Sequence, residues 1–285
     1  DIEQAAGAIS GFESVLTADS PQRRAVSWLS TLDEFDTQGL GLIFSERYLL
    51  IVFYYATNGA DWLEQERWLT PTLHIFDWSF AIICGTDATR RQIVTGIDFT
   101  RNGLSGNIPG EISLLDGLNL LRLGKNNING TIPGEFAQMT SLTLLDLSTN
   151  KLSGSIPSQI GYLQNLLSLE LYDNVLTGTI PSSIFDLRLM ATLDLSKNNI
   201  TGLLSPNISK LESLGTLNLQ NNSFIGGVPS FASLTKLDFI YLDYNQFSGS
   251  FADFFDAAFV GRQEFTVSHN RIVGGLPGIE SLNVS

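Results

Sequence analysis

TSLTLLDLSTNKLSGSIP, residues 140–157, is the stretch on which the reading of this chain turns. It spells Leu142-x-x-Leu145-x-Leu147-x-x-Asn150-x-Leu152-x-Gly154-x-Ile156-Pro157. The asparagine recurs at Asn102, Asn126, Asn150, Asn174, Asn198, Asn222, Asn245 and Asn270, at intervals of 24, 24, 24, 24, 24, 23 and 25 residues. A period of that length marks a solenoid, in which one unit cannot bury its own apolar face and must stack on its neighbours. Leu145 and Leu147 lie two apart and point to the same side of a short strand, into the core. Asn150 ends the strand, where an amide with both donor and acceptor satisfies turn backbone and links to the next coil. Gly154 permits a backbone conformation that a Cβ forbids. Pro157 fixes φ and removes a donor where the chain bends away.

The run Leu-x-Leu-x-x-Asn-x-Leu-x-Gly-x-Ile-Pro resembles the plant-type leucine-rich repeat of receptor-kinase ectodomains and polygalacturonase-inhibiting proteins. The resemblance covers Val94 to the C-terminus by motif and extends more weakly over the cap before it, where the pattern is most similar to leucine-rich repeat proteins of diatoms and related algae. It implies an α/β solenoid, a right-handed superhelix with a parallel sheet on its concave face behind an N-terminal helical cap. It also implies a protein that binds rather than catalyses. Caps of this type carry a cysteine just before an acidic or Ser-Trp pair and a second shortly after it. Here Phe76-Asp77-Trp78 stands at the first place and Cys84 at the second. The chain has one cysteine, so no intrachain disulfide forms. Cys84 then reads as a small buried apolar residue, with an intermolecular disulfide or a reactive thiol as the other readings.

The 285 residues divide into an arm and helical cap, 1–93, and a repeat array, 94–285, of eight coils and the start of a ninth. Hydrophobic residues make up 43% of the chain, enough for a continuous core, and charged ones 16%. Twenty-nine acids against sixteen bases give −13, which argues against a nucleic-acid partner, since phosphate binding needs a basic stripe. The balance suits a basic peptide or protein partner, or simply solubility. No apolar run approaches the ~20 residues of a membrane span. The chain begins at Asp1 without signal-like features, and Ile279-x-x-Leu282-x-Val284 reads as the opening of another coil. A piece of a longer protein is expected, extracellular or at the cell surface, with any transmembrane tether outside this chain.

Residues 1–19 are poorly patterned, an extended arm or a short helix. Ser20-Pro21 reads as an N-cap and first helical residue of a helix to Leu32, with Trp28 and Leu29 inward. Asp33–Gly41 is a loop. A second helix covers Ser45–Thr57, with Tyr48, Leu49, Val52, Phe53 and Ala56 at helical spacing. Trp62, Trp68 and Trp78 follow as cap core rather than a ligand box, because the raw end of a solenoid needs large side chains to close it. Repeat five places its proline one residue late, at Pro206, and repeat seven loses it. The segment Phe254–Phe259 reads as helical on the convex side.

On the concave face the position between the paired leucines reads Asp98, Arg122, Asp146, Glu170, Asp194, Asn218, Tyr241, Thr266. Strands ~4.8 Å apart make Asp146, Glu170 and Asp194 a contiguous carboxylate row, able to receive Lys or Arg from a ligand. The alternative is that acids are the ordinary spelling of this strand. Tyr172, Phe239, Tyr241 and Tyr244, flanked by Asp173 and Asp243, form a second candidate set on exposed strand positions, suited to a peptide or a sugar ring. His74 and His269 are the only histidines, and no metal-spaced cluster, nucleophile elbow or phosphate loop occurs. On an open sheet nothing desolvates a carboxylate. Neither an enzyme, a cofactor nor a metal is therefore expected. Sequons stand at Asn129, Asn199, Asn207, Asn221 and Asn283; the first three fall after the strand, where a glycan leaves the concave face open. Three functions fit: a receptor-like or adhesion recognition module, a secreted inhibitor of a wall-degrading hydrolase, and a structural subunit of an extracellular assembly.

Overall fold

The paired leucines of each repeat all turn inward. In a computed structural model, which describes residues 2–31, 42–250 and 263–274, Leu121, Leu123, Leu145, Leu147, Leu169, Leu171, Leu193, Leu195, Leu217 and Leu219 are all fully buried. The strands that carry them form one nine-stranded sheet among the described residues. The first strand, β1 (Ile82–Thr86), runs antiparallel to β2 (Gln92–Asp98). From β2 onward each coil adds a three-residue strand in parallel, at Leu120–Arg122, Leu144–Asp146, Ser168–Glu170, Thr192–Asp194, Thr216–Asn218, Phe239–Tyr241 and Glu264–Thr266. One contiguous apolar core runs from Ala6 in the cap to Val267 in the last described coil.

The recurring asparagine is the bolt between coils. Asn150 Nδ2 donates to Leu147 O and Ser148 O in its own turn and to Leu123 O in the coil before, while its Oδ1 accepts from the Ile128 N–H. The same bonds recur at Asn126, Asn174, Asn198, Asn222 and Asn245. The link therefore reaches back to the preceding coil, not forward to the next. The residue before each asparagine lies in the left-handed region, from Arg101 at φ 57° to His269 at φ 54°. Thr149 takes φ 50° there, and a β-branched residue bears that conformation badly. Thr149→Asn should stabilise the chain by ~1 kcal/mol, read as a higher urea midpoint with an unchanged slope.

The Gly-x-Ile-Pro half of the repeat does more than turn. Gly154 sits at φ 75°, and around it the chain forms a second strand on the flank. Ser105–Asn107 pairs with Asn127–Asn129, and Ser153–Ser155 with Val175–Thr177. Thr201–Leu203, Ser223–Gly226, Gln246–Ser250 and Arg271–Val273 form a four-stranded sheet. After it the proline opens a short 3-10 turn on the convex side, as at Pro157 before Ser158–Tyr162. In repeat five the late proline moves inside the turn, and Ser205 takes over the cap by accepting from the Asn207 N–H.

In the cap, residues 2–16 form α1 (Ile2–Ser10) and α2 (Phe12–Leu16). Next comes α3 (Pro21–Thr31), with Ser20 Oγ accepting from the Arg23 N–H as its N-cap. Then α4 (Leu42–Ala56) packs against α3 and the first repeat. Leu50 and Ile51 are buried as well as Leu49, Val52 and Phe53, so α4 is covered on every side rather than along one stripe. Trp28, Trp62, Trp68 and Trp78 are buried and packed edge to face or tilted, with Trp62 and Trp68 centroids 5.0 Å apart. Arg47, fully buried, lies 4.5 Å over the Trp78 ring and donates to Leu73 O and Pro71 O. Cys84 is exposed on β1, not buried as expected, because β1 is the edge of the sheet and has no coil beyond it. The loop Asp33–Gly41, the Phe254–Phe259 segment, the ninth coil and Asn283 lie outside the described residues. No described helix is long and apolar enough to cross a membrane.

Candidate functional site: the concave face

The strand register aligns the expected row side by side. Asp98, Arg122, Asp146, Glu170, Asp194, Asn218, Tyr241 and Thr266 are partners in consecutive pairings. Their availability differs. Asp98 pairs with Arg122 at 3.4 Å, which neutralises the start of the row. Asp146 Oδ1 accepts from the Ser148 N–H and hydroxyl, and its Oδ2 has no partner among the described residues. Glu170 Oε1 accepts from Ser168 Oγ at 3.0 Å, and its Oε2 is likewise unpaired. Asp194 spends both oxygens, one on Ser196 and the other on Asn218 Nδ2 at 3.0 Å. Two adjacent carboxylates are thus open to a ligand, and the third is built into the sheet.

The face is less open than the sequence suggested. Burial raises the carboxyl of Glu170 above the ordinary Glu range, and the neighbouring Asp146 charge raises it further. Burial also raises Asp194, against the lowering effect of its bonds to Ser196 and Asn218. A sheet of close strands with half-buried side chains does desolvate its acids, contrary to the expectation of a freely hydrated surface.

The aromatic set divides. Tyr172 stands half-buried just past the strand of coil four, and Phe239 and Tyr241 stand half-buried on that of coil seven. Three strand spacings separate the two places, roughly 14 Å, so the aromatics do not form one box. The Tyr241 hydroxyl donates to Glu264 Oε2 at 2.8 Å, and burial, with that carboxylate beside it, pushes its pKa up to about 12. Tyr244 is not on the strand. It occupies the left-handed turn position at φ 53°, half exposed, stacked on His269 with centroids 4.1 Å apart. Asp173 occupies the same turn position in coil four, at φ 57° and exposed. Asp243 is no surface acid: it is buried, and accepts from the Ser268 N–H, the Ser268 hydroxyl and the Thr266 hydroxyl. Glu264, opposite Phe239 in register, adds an exposed acid that counting only the position between the leucines misses. The sequons Asn129, Asn199, Asn207 and Asn221 are all exposed; Asn129 lies in a flank strand and Asn221 at the left-handed turn.

The comparisons with known proteins agree with this geometry. A leucine rich repeat family model matches residues 188–247, and a second matches 141–163 and 165–187. The chain is a plant-type leucine-rich repeat protein. Among solved structures, the PEPR1–AtPEP1 complex is 28% identical with a TM-score of 0.69, over 82% of this chain and 36% of that one. The Arabidopsis receptor kinase HAESA, solved with the peptide hormone IDA and the co-receptor SERK1, is 33% identical with a TM-score of 0.61, over 64% of this chain and 30% of that one. A plant ice-binding protein is 27% identical with a TM-score of 0.57, over 82% of this chain and 88% of that one. This leucine-rich repeat protein therefore spans about a third of the length of each of the two receptor chains. No curated protein matches its sequence. Receptor chains recur among the similar structures, and a protein-binding repeat module is what these support.

Proposed function

We propose that this chain is a non-enzymatic recognition module of a cell-surface or secreted protein, and that it takes a basic peptide or protein segment on the concave face between coils three and seven. The observation that carries the reading is the adjacent pair Asp146 and Glu170, each half-buried and each with an unpaired carboxylate oxygen among the described residues. A lysine or arginine side chain supplies the missing donors, and the half-buried Tyr172 and Tyr241 offer apolar contact on either side of the small Asn218. The similarity to receptors such as HAESA, described in complex with a peptide hormone, supports this class of ligand.

Selection from a displayed peptide library against the intact chain tests it: lysine- and arginine-bearing peptides should enrich, and a selection with no basic bias would count against the reading. The binding should weaken with salt and with acid. Glu170 has a folded pKa above its ordinary value, so its ionised form costs stability in the free fold, a cost absent at low pH and incurred as pH rises through that pKa. A cationic ligand relieves this cost and favours ionisation. Affinity should therefore be full at neutral pH and fall as pH drops into a window beginning above the ordinary Glu range. An affinity flat from pH 7 to about 4 would contradict a carboxylate site.

The flank favours a second reading, ice binding. Its outward positions carry small uncharged polar residues, among them Asn129, Thr131, Ser155, Thr177, Thr179 and Thr201, all exposed and repeating at the coil spacing. The plant ice-binding protein is similar over nearly its whole length. The sequons Asn129-Gly-Thr131 and Asn199-Ile-Thr201 sit in the same face, so glycans there would cover it. Inhibition of ice recrystallisation by the unglycosylated chain, lost in Thr177→Lys with Thr179→Lys, would establish this reading; inactivity of the unglycosylated chain would remove it.

A further inference from the structure

A cleft of about 500 Å³ lies between the end of α1 and the convex side of the first two coils, away from the concave face. We propose that it binds an amino sugar, a primary ammonium carried on a polyhydroxylated ring. Two carboxylates line it, Glu111 and Glu135, and no cationic side chain does. Glu111 Oε1 accepts from Gln22 Nε2 at 2.7 Å, a neutral partner that leaves the charge unanswered. Glu135 has no hydrogen bond or ion pair among the described residues. It lies back across Gly110, where a Cβ would stand 3.0 Å from its carboxyl carbon. An ammonium group is the donor that such a pair lacks.

A second, independent observation is Ser113. The residue is 2% exposed and belongs to the wall of the cleft, and its hydroxyl has no hydrogen-bond partner among the described residues. The oxygen is not among the fully buried unpartnered side-chain atoms, so what exposure the residue keeps lets its hydroxyl exchange a hydrogen bond with whatever fills the cleft. Asn107, Thr131 and Gln138 add side chains that both donate and accept, without side-chain hydrogen bonds of their own among the described residues. Paired donor and acceptor capacity matches hydroxyl groups, which need both. Ile9, Ile108 and Leu114 supply an apolar floor for the CH face of a ring. A simple alkylamine satisfies the carboxylates and leaves the neutral side chains unused. A neutral sugar does the reverse.

Calorimetric titration of the intact chain with three probes tests the assignment: the trimer of glucosamine, its fully N-acetylated form, and 1,4-diaminobutane. The glucosamine trimer should bind, and each of the other two should bind about tenfold more weakly or worse. Glu135→Gln, at an exposed position that leaves the fold intact, should reduce glucosamine-trimer affinity by about tenfold, as should Ser113→Ala if that variant folds. The proposal is overturned if the glucosamine trimer does not bind at millimolar concentration, if either other probe binds as well, or if Glu135→Gln binds like the unmodified chain. Asp146→Ala with Glu170→Ala should leave this binding unchanged, which separates the cleft from the concave face.

Discussion

Asn174→Ala is expected to lower the stability of the chain by about 2–4 kcal/mol. Asn174 is buried and makes four hydrogen bonds: its Nδ2 donates to Leu147 O, Leu171 O and Tyr172 O, and its Oδ1 accepts from the Leu152 N–H. Alanine fills part of the space and satisfies none of these groups. The Leu152 N–H and the Leu147 carbonyl then stay buried without the amide that served them, and the loss of partners for such groups dominates the cost. Asn174→Asp is a sharper probe. It retains an acceptor for Leu152 but turns a carboxylate toward three carbonyl oxygens, so it should not rescue the alanine variant. Urea unfolding of the intact chain reads both. If aspartate proves as stable as asparagine, the amide is not the bolt described.

Leu169→Ala should cost about 2–5 kcal/mol. Leu169 is fully buried and lies in register between Leu145 and Leu193, so its side chain fills the core at the level where three coils meet. Removing it loses the transfer free energy and opens a cavity that the flanking coils, held by their own asparagines, are poorly placed to collapse into. Leu169→Met keeps most of the volume and should cost under about 1.5 kcal/mol. In a repeat array each coil is stabilised chiefly by its neighbours, so a defect at coil four, near the middle, weakens both halves. An equally small effect for alanine and methionine would show that this position is not close-packed.

The inward leucines, the asparagine row and the Ser20-Pro21 helix start were legible because each rests on local periodicity or local backbone chemistry. The flank sheet was hidden because its register steps by two residues between coils: Ser105, three past its asparagine, pairs with Asn127, one past its own. Arg47 reads as a surface charge in an apolar helix, and only the packed cap shows it over Trp78. The acids were the hardest to sort. Asp146 and Asp194 share the Leu-Asp-Leu spelling and Asp243 stands two places further on in its coil, yet Asp194 is committed to Asn218 and Asp243 to Thr266 and Ser268, partners 23–25 residues away. Which carboxylate remains open is decided by the coil next door. For the same reason the tyrosines separated into a strand contact at Tyr241 and a turn position at Tyr244.

The most direct measurement of the concave-face account is the affinity of a peptide captured by the intact chain for two double variants. Asp146→Ala with Glu170→Ala removes both open carboxylates, and Tyr172→Ala with Tyr241→Ala removes the two aromatic contacts. Each double should weaken binding by about 1–3 kcal/mol, with the salt dependence lost only in the first. Unchanged affinity in both doubles would contradict the account and move the binding surface to the cap, the flank or the convex side.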